Sequence, residues 1–234
     1  MSNTYVIGDI HGELTLVENL LQKIDLDFET DRLVFLGDYI DRGPASKEVL
    51  SLMQTLKEKG AYCLMGNHEH IMLSVFTNAN ERKFEHWVNV AGGKATLESY
   101  GYSLSYIEEH LYKEAYEDET LHEHLAFIET LLPYIEDDDT IFVHGGVEPG
   151  KDMKETSIDR LLWIREEFHS NYEGPKTVVF GHTPTPILHQ DRNNHSPYFG
   201  DNQIIGIDGG AVFGGALHCL VLPSKQIISV SKKA

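Results

Sequence analysis

The chain has 234 residues, 41% hydrophobic and 24% charged, which suits one globular domain with a packed core and excludes a disordered or fibrous protein. Nineteen Lys and Arg against 37 Asp and Glu give a formal net charge of −18 at pH 7, which repels nucleic-acid backbones and anionic lipid, so general binding to either is not expected. No secretion-signal pattern opens the chain and no apolar run reaches the length of a membrane span, so a cytoplasmic protein is expected, with Cys63 and Cys219 as reduced thiols filling core space.

Thr4 to Ile7 reads as a strand, followed by Gly8-Asp9-Ile10-His11-Gly12 and a helix whose apolar stripe is Val17, Leu20, Leu21 and Ile24. A second strand, Arg32 to Leu36, leads through Gly43 to a helix that opens at Pro44, carries Val49, Met53 and Leu56 on one face and is closed by Gly60. A third strand, Ala61 to Met65, runs into Gly66-Asn67-His68-Glu69. Strands alternating with helices predict parallel pairing through right-handed crossovers, and ligands of such sheets bind beyond the carboxyl ends of the strands.

From about 70 to 132 the pattern is mainly helical, with Leu121, Leu125, Ile128 and Leu131 on a stripe that ends at Pro133. The aromatics of this segment, Trp87, Tyr100, Tyr102, Tyr106, Tyr112 and Tyr116, read as packing residues, and the segment carries no obvious chemistry. His122 and His124, two apart on a helix, face apart and are expected at the surface. After the solvated turn Asp137-Asp138-Asp139 come strands at Thr140 to Val143, Thr177 to Phe180, Ile204 to Ile207, Ala216 to Leu222 and Gln226 to Val230. Several are too closely spaced for helical crossovers, so the later sheet is expected to be mixed or antiparallel.

Polar residues recur at the strand ends. Asp9 and His11, two apart, would project to one side of a still-extended backbone; Asp38 follows the second strand, Asn67 the third, and His144 and His182 two later ones, nearly all beside glycines. Any one of these alone reads more readily as a turn or a helix cap, but turns do not explain six at equivalent places. Carboxylate, imidazole and amide oxygen donors without a thiolate suit manganese, iron or zinc. Six donors are too many for one structural zinc and fit two divalent ions, which would give this acidic chain the positive charge that an anionic substrate requires.

The ordered blocks Gly8-Asp9-Ile10-His11-Gly12, Gly37-Asp38-Tyr39-Ile40-Asp41-Arg42-Gly43, Gly66-Asn67-His68-Glu69, His144-Gly145-Gly146 and Gly181-His182-Thr183 resemble the phosphoprotein phosphatase (PPP) family of metallophosphoesterases. The resemblance implies an α/β calcineurin-like fold, a central β-sandwich of mixed sheets flanked by helices, with a dinuclear site at its edge. Carried over residue by residue, it implies that Asp9, His11 and Asp38 hold one metal while Asp38, Asn67, His144 and His182 hold the other, with Asp38 bridging. It further implies that Arg42 grips phosphate, that Asp41 orients an acidic His68, and that a metal-bridging hydroxide attacks phosphorus in line with the leaving oxygen. Arg165 sits where phage lambda and bacterial members have a second phosphate-binding arginine; Arg160 competes for that role but reads better as a surface ion-pair residue.

Ile207-Asp208-Gly209-Gly210-Ala211 stands where the eukaryotic protein phosphatases have a Ser-Ala-Pro-Asn-Tyr-Cys-like loop, which resembles the bacterial and phage branch. That branch mixes serine/threonine phosphatases with dinucleoside tetraphosphate hydrolases. The leading expectation is manganese-dependent hydrolysis of phosphoserine or phosphothreonine in proteins, with iron or zinc as the other metals the donors suit; the alternative is cleavage of diadenosine tetraphosphate, with the middle aromatics as stacking surfaces for adenine. The sequence leaves the oligomeric state open.

Overall fold

The computed structural model describes residues 2–78, 81–102 and 118–232. In chain order the first elements are β1 (Thr4–Ile7), α1 (Leu14–Leu21), β2 (Arg32–Phe35), α2 (Ser46–Glu58), β3 (Tyr62–Cys63), α3 (Asn67–Asn78), α4 (Glu81–His86), a π-helical turn at Trp87–Ala91 and α5 (Gly93–Ser99). Then follow α6 (Glu119–Glu129), β4 (Tyr134–Glu136), β5 (Thr140–Val143), α7 (Ile158–Trp163), α8 (Glu166–Asn171), β6 (Thr177–Phe180), α9 (Thr185–Leu188), β7 (Tyr198–Phe199), β8 (Ile204–Gly206), β9 (Ala216–Leu222) and β10 (Gln226–Ser231). Tyr106, Tyr112 and Tyr116 lie outside the described residues.

The strands form two five-stranded sheets, ordered β10-β9-β1-β2-β3 and β4-β5-β6-β8-β7. Parallel pairing of β1 with β2 and β2 with β3 matches the strand–helix alternation, and β9 adds antiparallel to β1. In the second sheet β5, β6 and β8 run parallel between antiparallel edges β4 and β7, so both sheets are mixed. The two edge strands escape sequence reading because two or three residues give no periodicity. Similarly, β3 is shorter than Ala61 to Met65 because Leu64 leaves the strand to bridge Leu132.

Side chains alternate faces along each strand. Val6, Val34, Phe142, Val179 and Ile205 meet between the sheets, whereas Tyr5, Ile7, Leu33 and Phe35 face the α1 and α2 side and Ile141, Val143, Val178 and Phe180 face the α7 and α8 side. Being covered on both faces, these strands read as unbroken apolar runs. Each fully buried aliphatic or phenyl side chain contributes about 1.5–3 kcal/mol relative to exposure, so this three-layer core supplies the rigidity on which the strand-end loops rest. Cys63 and Cys219 are buried free thiols, and burial pushes both up to about 12, which suppresses the thiolate. No helix among the described residues is long and apolar enough to cross a membrane.

Candidate active site

The carboxyl ends of β1, β2, β3, β5, β6 and β8 deliver Asp9, Asp38, Asn67, His144, His182 and Asp208 to one edge of the sandwich, and all six are buried. Two glycines make the close approach possible. A Cβ on Gly181 would stand 2.1 Å from Oδ1 of Asp9, and one on Gly66 would stand 2.2 Å from the backbone nitrogen of Asp38. Among the non-glycine residues with positive φ are His11 (47°), Asp38 (55°), Asp41 (71°), Arg42 (71°) and His182 (62°). Strained backbone of this kind persists where surrounding structure enforces it, and here it gathers on the candidate site.

The left-handed turn at His11 corrects the extended Asp9-to-His11 geometry expected from the sequence. Asp9 turns toward β6, where its carboxylate accepts the His182 N–H at 3.0 Å, while His11 Nε2 lies 3.5 Å from Asp38 Oδ2 and 2.7 Å from Arg42 Nη1. Two groups of donors result, His11 with Asp38 and His68, and Asp38 with His144 and His182, sharing Asp38. Asn67 joins the second group, its Oδ1 lying 2.9 Å from His144 Nε2 and 2.8 Å from His182 Nδ1.

This donor set fits cations. His11 Nδ1 and His144 Nδ1 donate to the carbonyls of Ile40 (2.8 Å) and Leu36 (2.9 Å), which leaves each Nε2 lone pair aimed inward, as metal-ligating imidazoles require. Burial lowers the pKa of His144, and of His182 to about 2, keeping both rings neutral. A neutral His144 therefore turns a lone pair toward the Asn67 oxygen, and a positive ion between such acceptors relieves their repulsion. His182 Nε2 is buried without a hydrogen-bond partner among the described residues. The carboxylates point the same way: burial raises Asp9 well above the usual range, reinforced by Asp208 and Asp38, and burial raises Asp208 to about 6.

Asp41 is fully buried and meets His68, its Oδ2 lying 2.6 Å from Nδ1. Burial opposes the charge on His68, but Asp38 and Asp41 outweigh it and raise its pKa. Two residues of the middle helical segment hold Asp41: Trp87 Nε1 donates to Oδ2 at 2.9 Å, and the Thr96 hydroxyl donates to Oδ1 at 2.6 Å. That segment thus contributes to the site, contrary to the sequence-based expectation. Glu69 binds the β2 loop from below, accepting the backbone N–H groups of Asp38, Tyr39, Ile40 and Gly66.

Arg42 is exposed at the rim, and Arg165, at the start of α8, donates to the Thr183 hydroxyl at 3.1 Å and lies in the field of Asp208, Asp9 and Asp38. Arg160 instead pairs with Glu167 at 2.6 Å and stays away from the cluster, as its sequence context suggested. His122 is exposed as expected, but His124 is buried, its ring bonded to the hydroxyls of Tyr100 and Ser51. Asp208 was missed because its Gly-rich context reads as a turn; its place after a strand, the rule that located the other donors, was the available signal.

A family model described as calcineurin-like phosphoesterase matches residues 2–218. The bis(5'-nucleosyl)-tetraphosphatase PrpE [asymmetrical] of Oceanobacillus iheyensis is 30% identical, the match covering 97% of this chain and 92% of that protein. Among solved structures, a candidate diadenosine tetraphosphatase superposes with a TM-score of 0.71 at 23% identity, covering 98% of this chain and 93% of that one. A cold-active protein tyrosine phosphatase superposes with a TM-score of 0.62 at 19% identity, covering 98% and 76%. With mixed sheets sandwiched between helices and a buried Asp, His and Asn cluster at their edge, the chain belongs to the calcineurin-like phosphoesterase family.

Proposed function

We propose that the protein hydrolyses bis(5'-nucleosyl) tetraphosphates asymmetrically. Water adds to a phosphorus and one anhydride bond breaks, so a nucleoside triphosphate and a nucleoside monophosphate leave. The 30% identity to a protein of that name over 97% of this chain carries this reading. Phosphoprotein hydrolysis, the leading expectation from the sequence, needs the same catalytic set, and the phosphatase-like superposition at 19% identity speaks to fold alone.

In this reading Asp9, His11 and Asp38 hold one divalent cation and Asp38, Asn67, His144 and His182 the other; manganese, iron and zinc all suit these donors. Bound there, the cations supply Lewis acidity toward water and neutralise phosphate charge. Arg42 and Arg165 present guanidinium forks to the phosphate oxygens from the two groups of donors. His68, held by Asp41 through Nδ1, turns Nε2 toward the cluster, 3.9 Å from Asp38 Oδ2, and protonates the departing phosphate oxygen.

The test is a side-by-side rate comparison of manganese-loaded protein on diadenosine tetraphosphate and on phosphoserine and phosphothreonine peptides. ATP and AMP should appear on chromatography at the higher rate. Phosphate release from the peptides, with the dinucleotide left intact, would overturn the reading.

A further inference from the structure

Two exposed aromatic rings adjoin the metal-donor cluster, and neither belongs to a hydrophobic core cluster of the described residues. Phe213 is 66% exposed, and the Arg42 guanidinium carbon lies 5.3 Å from its ring centre. Trp163 is 45% exposed and meets the His182 ring edge-on at 5.7 Å. They mark different halves of the cluster, because Arg42 touches His11 whereas His182 touches Asn67. Each also accompanies an arginine: Phe213 lies against Arg42, and Trp163 ends α7 two residues before Arg165. Phe213 is carried on a single helical turn, Ala211–Phe213, between Gly210 and Gly214, both at positive φ, and the turn begins three residues after Asp208.

We infer that Phe213 and Trp163 are nucleobase platforms, one for each end of a dinucleoside polyphosphate whose phosphates lie between them; the inference rests on the dinucleoside reading of the same site. An aromatic face accepts any base by stacking, with little dependence on its hydrogen-bonding edge. A cation against the ring of Phe213 further fixes the geometry at the Arg42 end. The arrangement matches a ligand that is aromatic at both ends and anionic in the middle.

The experiment uses the full-length manganese-loaded protein hydrolysing p-nitrophenyl phosphate, with AMP and ribose 5-phosphate as competing inhibitors that differ by the base. AMP should inhibit about tenfold more tightly than ribose 5-phosphate, the size of one base stack. That advantage should fall toward unity in the Phe213→Ala/Trp163→Ala double variant and in Phe213→Leu/Trp163→Leu, which keeps apolar bulk without ring faces, and should survive Phe213→Tyr. Because Trp87 is the buried member of the two tryptophans, AMP should also quench emission in the wild type and not in Trp163→Phe. No AMP advantage in the wild type, or an undiminished one in the double variants, would overturn the platforms. If AMP keeps its ring-dependent advantage while diadenosine tetraphosphate is not cleaved, the platforms stand and the proposed substrate fails; cleavage with an unmoved ratio gives the reverse.

Discussion

Trp87 Nε1 lies 2.9 Å from Oδ2 of Asp41, the same oxygen that lies 2.6 Å from Nδ1 of His68. The indole therefore fixes the carboxylate that orients the proposed acid, although Trp87 is 46 residues away in sequence. Hydrogen bonds to charged groups contribute about 1.5–3 kcal/mol. Trp87→Phe should destabilise the fold by roughly 1–3 kcal/mol in urea unfolding and lower kcat about tenfold with little change in KM. Wild-type kcat in this variant would show that Asp41 keeps its orientation without the indole.

Replacing His68→Asn should leave two metal equivalents bound and slow turnover by ~100-fold or more, the usual loss with a general acid. The effect should be larger on an alkyl phosphate than on a phosphoanhydride, because an alkoxide needs protonation more than a departing phosphate does. Metal analysis and rates on both substrates check this; an unchanged rate removes the acid role from His68.

Asp9, Asp38 and Asp208 place three buried carboxylates in one another's field. Chelation should abolish activity and lower the melting temperature, and returning manganese should restore both, since an ion at a thousandfold its Kd stabilises by about 4 kcal/mol. Asp208→Asn keeps an oxygen for the Gly210 N–H, 2.9 Å away, while deleting a charge. The variant should be more stable than wild type without metal, by on the order of 1 kcal/mol, and should gain less when metal is added. Calorimetry with and without manganese reads both signs, and equal shifts in the two states would exclude the repulsion.

His124 supplies a pH dependence separate from the metal donors. Burial lowers its pKa from 6.5 to about 4, with a smaller push from Lys47. The unfolded chain takes up this proton near 6.5 and the folded chain only near 4, so between those values the unfolded state binds more protons. Stability should therefore fall as pH drops from about 6.5 and level off below about 4. Urea midpoints of wild type and His124→Gln across that range should converge as pH falls, and parallel curves would assign the loss elsewhere.

The donors were legible because each strand ends in a polar residue that local sequence exposes: Asp9, Asp38, Asn67, His144 and His182 stand beside glycines after apolar runs. Parallel β1, β2 and β3 followed from the same alternation. Trp87, Thr96 and His124 were not legible, because their meaning lies in partners 24 to 73 residues away and their own surroundings are those of ordinary helix residues. Glu69 lies in the block Gly66-Asn67-His68-Glu69, but nothing in its spacing tells that it collects four backbone N–H groups. The strands β4 and β7 were lost to brevity.

The left-handed backbone at His11, Asp38, Asp41, Arg42 and His182 sets a limit on engineering. Glycine would relax each of these turns, yet each such exchange would delete an imidazole, a carboxylate or a guanidinium from the working edge. On the proposed roles, sturdiness and turnover are drawn from the same five positions, and a hardier version of this protein has to be sought away from these turns.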